Sequence, residues 1–214
     1  MVRFIQAAIV ITVLATTLVI GPPTIVQSGQ TRVATFAAGC FWCLEEAFDE
    51  VDGIISTTSG YMGGDVENPT YRQVSSGRTG HTEVVRVIYD PTKVTYLKLL
   101  KAFWANVDPT TPNRQFCDRG SQYRSAIFAH DESQMAAARA SFQTLKKIKP
   151  FSKSIVTQIS QAGSFYPAED YHQNYYRLNP VRYKFYKYNC GRANRLEKLW
   201  KGFNFDRLDS GGPL

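Results

Sequence analysis

The sequence predicts a single α/β layered domain. Two observations carry this. Short extended segments interleave with segments whose apolar residues recur at helical spacing, and no internal repeat or low-complexity stretch interrupts them. The 214 residues are 43% apolar and 13% aromatic, enough for one well-buried core, and no shift in composition marks a second.

The first 30 residues stand apart. Arg3 precedes an uncharged, mostly apolar run over 4–20, and Gly21-Pro22-Pro23 ends any helix there. This is the pattern of an export signal, with a possible cleavage point after Ser28. The run is also long enough to be a retained membrane anchor through residues 4–20. Either reading places the domain, residues 31–205, outside the cytoplasm. Residues 206–214 form a C-terminal tail.

Within the domain, residues 31–37 read as a strand. Gly39 permits a sharp turn, and Leu44, Ala47, Phe48 and Val51 then follow helical spacing. The glycine-rich stretch 59–64 reads as a loop that continues through Asn68-Pro69-Thr70-Tyr71. Residues 80–89 read as a strand ended by Asp90-Pro91. A helix follows over 95–106, with Leu99, Leu100, Phe103, Trp104 and Val107 on its apolar side. A second loop spans 108–120, and then come a strand over 123–129, a helix over 133–147 and a strand over 155–159. The spacing predicts a short helix within 168–176 and a last one over 192–200.

Charge and cysteine content narrow the function classes. The net charge of +7 comes from scattered basic residues with no nucleic-acid reader motif, so it reads as a solvated basic surface. The four cysteines, 40, 43, 117 and 190, are too few for a disulfide scaffold in a chain this long. Zinc would want a second close Cys or His pair, and Cys117 and Cys190 are each solitary.

Cys40, in Gly39-Cys40-Phe41-Trp42-Cys43, falls at a helix start. Unpaired N–H groups there favour a thiolate, the nucleophilic form of sulfur. Glu45 and Glu46 fall early in the same helix, where the macrodipole favours negative charge. Phe41 and Trp42 flank the nucleophile and can line an apolar pocket, or simply be core. Glu83 shares a strand face with Val85, Val87 and Tyr89. If that face is buried, its carboxyl stays protonated near neutral pH and can act as an acid. If Glu83 sits at the strand mouth, it is solvated or paired with an Arg. Tyr71, Tyr123 and His172 can serve a ligand or packing, and Asp118 can be a turn residue. Cys40 and Cys43 form a C-x-x-C pair, which also suits a general thiol–disulfide oxidoreductase.

With these residues assembled, the chain resembles the methionine sulfoxide reductase A family. The matching segments are GCFWC at 39–43, SGYMGG at 59–64, PTYRQVSSGRTGHTEVVRVIYDP at 69–91, DRGSQYRSAIF at 118–128 and AEDYHQNYY at 168–176. The resemblance implies a two-layer α/β sandwich with a mixed sheet and a ferredoxin-like core. It implies reduction of methionine S-sulfoxide, free or in proteins, without metal or organic cofactor. By motif, Cys40 attacks the sulfoxide sulfur and Glu83 protonates its oxygen. Tyr71 and Tyr123 hydrogen-bond that oxygen, and Asp118 supports the polar side of the site. Phe41 and Trp42 hold the methyl group. A second thiol then closes a disulfide on the Cys40 sulfenic acid, which a thioredoxin-like reductant reopens. The chain departs from the common family pattern in having Cys43 where many members have Gly, and in lacking a Cys after Trp200. Cys190, in an expected loop beside Gly191, is favoured as the resolving thiol, with Cys43 the alternative and Cys117 third.

Overall fold

The computed structural model describes residues 30–210. The expected export segment therefore lies outside the described residues. No helix among the described residues is long and apolar enough to cross a membrane.

The chain runs β1 (Arg32–Ala38), α1 (Phe41–Asp49), β2 (Ile54–Met62), α2 (Tyr71–Ser75), β3 (Thr82–Tyr89) and α3 (Tyr96–Ala105). It continues through a small hairpin of β4 (Arg114–Gln115) and β5 (Asp118–Arg119) to β6 (Ser125–Ala129), α4 (Glu132–Ile148), β7 (Gln158–Gln161) and β8 (Tyr166–Pro167). It closes with α5 (Tyr175–Leu178), α6 (Pro180–Asn189) and α7 (Arg192–Leu199). Thr95 caps α3 by accepting the Lys98 N–H, and Asp131 caps α4 by accepting that of Gln134.

Six strands form one sheet in the order β7-β6-β1-β3-β2-β8. The β6–β7 pair is parallel and the other four pairs are antiparallel, so the sheet is mixed. The unit β1-α1-β2-β3-α3-β6, with spatial order β6-β1-β3-β2, is the ferredoxin-like arrangement that the resemblance implied. Alternation along the strands separates two apolar faces. Ala34, Phe36 and Ala38 of β1, with Val85, Val87 and Tyr89 of β3, pack under Phe48 of α1, Leu99 and Phe103 of α3, and Leu145 of α4. The rings of Phe48 and Phe103 stack on Phe36 with centroids 5.0 and 5.4 Å away. Ala37, Met62, Val84, Ala126 and Phe128 form a smaller cluster on the other face.

One expectation fails, and helix α6 has no counterpart among the elements expected from the sequence. Residues 59–62 are strand, not loop: Ser59, Gly60, Tyr61 and Met62 pair with Val85, Val84, Glu83 and Thr82. Pairing overrides local preference here, and Gly60 serves close approach rather than a turn. A Cβ at that position would lie 2.5 Å from the Tyr166 carbonyl oxygen of β8 and 2.5 Å from the Phe165 ring. The helix α6 gives no amphipathic signal because its apolar residues Val181, Phe185 and Tyr188 point to solvent, leaving Tyr183 as its buried residue.

Candidate active site

Helix α1 begins at Phe41, so Cys40 is its N-cap residue, held after a turn at Gly39 (φ +79°). Cys40 is buried, and it packs with Cys43, Tyr175 and Tyr183. β3 supplies Glu83. Its face is the buried one: Glu83 is 2% exposed, in line with Val85, Val87 and Tyr89. The Phe41 N–H donates to Glu83 Oε2 at 3.0 Å, which ties the first amide of the helix to the carboxyl group. Burial pushes the Glu83 pKa up to about 8, against that hydrogen bond, so the carboxyl carries its proton at neutral pH.

The thiolate expected at Cys40 is not what this arrangement favours. Burial raises the Cys40 thiol well above its ordinary value, and Cys43, Glu83 and Asp118 add to it. The proton stays on Cys40, which donates it in a hydrogen bond to Cys43. That bond brings Cys43 down to about 7 against the opposing effect of burial, with Arg192, Tyr183 and Lys187 assisting. The helix-start argument failed because it omitted desolvation, and because Glu83 takes the Phe41 amide. The first turn of α1 also holds no acid. Glu45 is instead buried, accepting the Asn174 N–H at 3.0 Å, and Glu46 accepts from Tyr183 Oη at 2.5 Å and from Lys187.

The other expected residues converge on the same place. Tyr71 opens α2, and its N–H donates to Glu169 Oε1 at 2.8 Å. Tyr123 ends a 3₁₀ turn (Ser121–Tyr123) before β6. Burial raises both phenols, and Glu83, Cys40 and Asp118 each raise both further. Both phenols therefore lie within electrostatic reach of these three groups. Asp118, on β5, accepts from Tyr186 Oη at 2.5 Å. Trp42 stacks on Tyr175 at 3.7 Å with rings 7° apart, and donates from Nε1 to His172 Nδ1 at 3.1 Å. An open cavity of about 650 Å³ is lined by Trp42, Tyr71, His172, Tyr175, Cys117 and Cys190, among others. Phe41 does not line it: it is 1% exposed and belongs to the main core.

Cys190 departs most from expectation. It is the C-cap residue of α6 rather than part of a free loop, and it is joined to Cys117 in a disulfide with Cα atoms 4.9 Å apart. Cys40 and Cys43 are free. The Cys117, Asp118 and Cys190 ligand atoms lie within 4.8 Å of one another, but the two sulfurs are bonded to each other and offer no thiolate to a metal.

The family model for Peptide methionine sulfoxide reductase matches residues 32–203, which is most of the chain. The chain belongs to the peptide methionine sulfoxide reductase family. It is 46% identical over 174 residues to the peptide methionine sulfoxide reductase MsrA of Bacillus pumilus, covering 81% of this chain and 98% of that one. It is 45% identical over 173 residues to the MsrA/MsrB protein of Vibrio cholerae, but there the match covers 81% of this chain and only 46% of the longer protein. Among solved structures, the reduced form of Mxr1 from Saccharomyces cerevisiae superposes with a TM-score of 0.67 at 32% identity, covering 72% of this chain and 88% of that one. The two-layer fold with its mixed sheet is that of the family.

Sequence reasoning missed Tyr186, Tyr183 and Arg192. The first two lie on α6, which carries no periodic signal. Arg192 is 4% exposed and donates to the carbonyls of Ala38 and Asn106, a burial that composition cannot disclose for an arginine. The spacing of Trp42 and His172, 130 residues apart, held no hint of their hydrogen bond.

Proposed function

We propose that this protein reduces methionine S-sulfoxide, free or in oxidised proteins, to methionine. The observation that carries the reading is the buried, protonated Glu83 joined through the Phe41 amide to the segment that presents Cys40. Cys40 attacks the sulfoxide sulfur while Cys43, its hydrogen-bond acceptor, takes the thiol proton. Glu83 delivers its proton to the sulfoxide oxygen, and Tyr71 and Tyr123 hydrogen-bond that oxygen as charge grows on it. Trp42, half-buried on the cavity wall, offers an aromatic face for the methyl group, with Phe41 fixed behind it as core. Methionine leaves, and Cys40 keeps the oxygen as a sulfenic acid.

In this reading Cys43, rather than Cys190, closes that sulfenic acid. It packs with Cys40 in one cluster, whereas Cys190 is bonded to Cys117. The Cys43 sulfur bonds to Cys40, and the oxygen leaves as water with its own proton and that of Cys43. A dithiol of the thioredoxin class restores the thiols, and no step calls on a metal or an organic cofactor. The Arg3 and 4–20 pattern supports export, by cleaved signal or retained anchor, into a compartment where a Cys117–Cys190 disulfide persists. Fractionation of the source cells tests this, and full-length protein in the soluble cytoplasm would refute it.

Incubation with dithiothreitol and a mixture of methionine sulfoxide epimers tests the reaction. The expected result is methionine release with the R epimer left over. Release of no methionine, with disulfide exchange on a scrambled protein instead, would favour a general thiol–disulfide oxidoreductase built on Cys40 and Cys43.

A further inference from the structure

We propose that the outer face of α6 is a docking strip that selects among oxidised polypeptides. It takes an unfolded segment in which large apolar residues and an acidic residue flank the methionine sulfoxide. The inference rests on the sulfoxide reductase reading. Three observations support it.

The first is exposure. Val181, Phe185 and Tyr188 are 83%, 72% and 84% exposed. Their spacing sets them in one line along α6. A single apolar residue at a surface is ordinary, but an aligned strip marks a contact surface. Leu178, which ends α5, is exposed as well. The second is continuity with the site. Phe185 belongs to the strip and also lines the cavity bordered by Trp42 and Tyr71, as do Tyr171, Arg182 and Asn189. Arg182 and Asn189 each follow a strip residue by one position, and a helix turns by about 100° per residue. The cavity wall and the strip are therefore adjacent sides of one helix, with Phe185 at their border. The third is charge. Arg177 and Lys187 are paired with Asp49 and Glu46. Arg182 and Lys184 are exposed and make no ion pair among the described residues, so an acidic side chain is their complement.

The occupant follows from this shape. From Val181 to Tyr188 the strip is about 10 Å long at the helical rise, the span of about three extended residues. It meets side chains that flank the sulfoxide, which the free amino acid does not have. In a folded protein such apolar side chains lie inside. Oxidation makes a methionine side chain polar and disrupts the core around it, which exposes the apolar residues packed against it. A segment opened in this way presents what the strip fits. An anionic membrane surface has matching chemistry, but it makes no use of the continuity between strip and cavity, so the polypeptide is favoured.

Peptide kinetics with dithiothreitol as reductant test this. One peptide carries methionine S-sulfoxide between leucines with a glutamate beside them. A second has serines and a lysine in their place, and free methionine S-sulfoxide is the third substrate. The native chain should favour the first peptide over the second by about tenfold in kcat/KM. Val181→Ser combined with Tyr188→Ser changes two exposed residues outside the cavity. It should raise KM for the first peptide by about the same factor, with kcat and the turnover of free sulfoxide unchanged. Arg182→Glu should reverse the preference between glutamate and lysine in otherwise identical leucine peptides. Equal kcat/KM for the two peptides in the native chain would overturn the docking strip. So would a double variant that keeps the native preference, including one that has lost only its binding to anionic vesicles, the outcome expected of a membrane-facing surface. No turnover of any of the three sulfoxides by the native chain would refute the reductase reading itself and the strip with it.

Discussion

Replacing Glu83 by Gln should cost activity and raise stability at alkaline pH. The carboxyl is 2% exposed on the core face of β3, and its pKa rises from 4.5 to about 8, mainly through burial. A carboxyl whose pKa is raised by folding binds its proton more tightly in the fold than in the unfolded chain. Stability therefore falls as pH climbs from about 4.5 and flattens beyond about 8. Each tenfold in the ionisation constant is about 1.4 kcal/mol, so the rise from 4.5 to about 8 amounts to about 5 kcal/mol by pH 9. Gln has the same shape, can still accept from the Phe41 N–H, and does not titrate. Glu45, also raised by burial, to about 7, pulls in the same direction, but it is present in both proteins and cancels in the comparison. Urea titrations of both proteins at pH 5 and pH 9 read the effect. The native chain should lose stability across that interval, and Glu83→Gln should lose several kcal/mol less. Single-turnover methionine formation by the variant should fall by about 10²–10⁴. Parallel stability curves would mean that Glu83 is ionised in the fold. An unchanged turnover rate would mean that it is not the acid.

Cys40→Ser should abolish methionine formation even with dithiothreitol, because a serine hydroxyl is scarcely ionised near neutral pH; retained turnover would rule out Cys40 as the nucleophile. Cys43→Ala removes both the acceptor of the Cys40 proton and the thiol in contact with it. The variant should accumulate a sulfenic acid that dimedone traps, and undiminished turnover with no adduct would return the resolving role to Cys190. Gly60→Ala drives a methyl group against the Tyr166 carbonyl and the Phe165 ring, so unfolding free energy should drop by about 1–3 kcal/mol as β8 shifts; an unchanged urea midpoint would show that the β2 edge has room to give.

The fold and most of the site were legible in the sequence, for different reasons. Segments with a strong period and an end signal were read to within a few residues, as with α3 after Thr95 and α4 after Asp131, where a capping side chain stands before an apolar stripe. The residues 59–62 were misread because their strand character comes from pairing with β3 and from the approach of β8, neither of which is local. The convergence of Cys40, Glu83, Tyr71, Tyr123 and Asp118 was reached through motif order rather than through any distance in the sequence. The partner of Cys190 was not, since 73 residues separate it from Cys117 and no spacing rule joins them. The proton distribution between Cys40 and Cys43 also escaped, because desolvation is set by the packed surroundings.

The stack of Trp42 on Tyr175 gives the enzyme an optical handle of its own. The chain has three tryptophans, and Trp104 and Trp200 are locked in the main core, their Nε1 groups donating to Ser141 Oγ and the Val107 carbonyl. Trp42 alone of the three borders the open cavity. Its indole lies flat on Tyr175, meets Tyr186 edge-on at 5.8 Å and is bonded to His172. A group entering that cavity, or a change in sulfur chemistry two residues away at Cys40, alters the polarity and quenching around this indole while the other two tryptophans keep their surroundings. Intrinsic emission thus follows substrate capture in the native chain with no label attached.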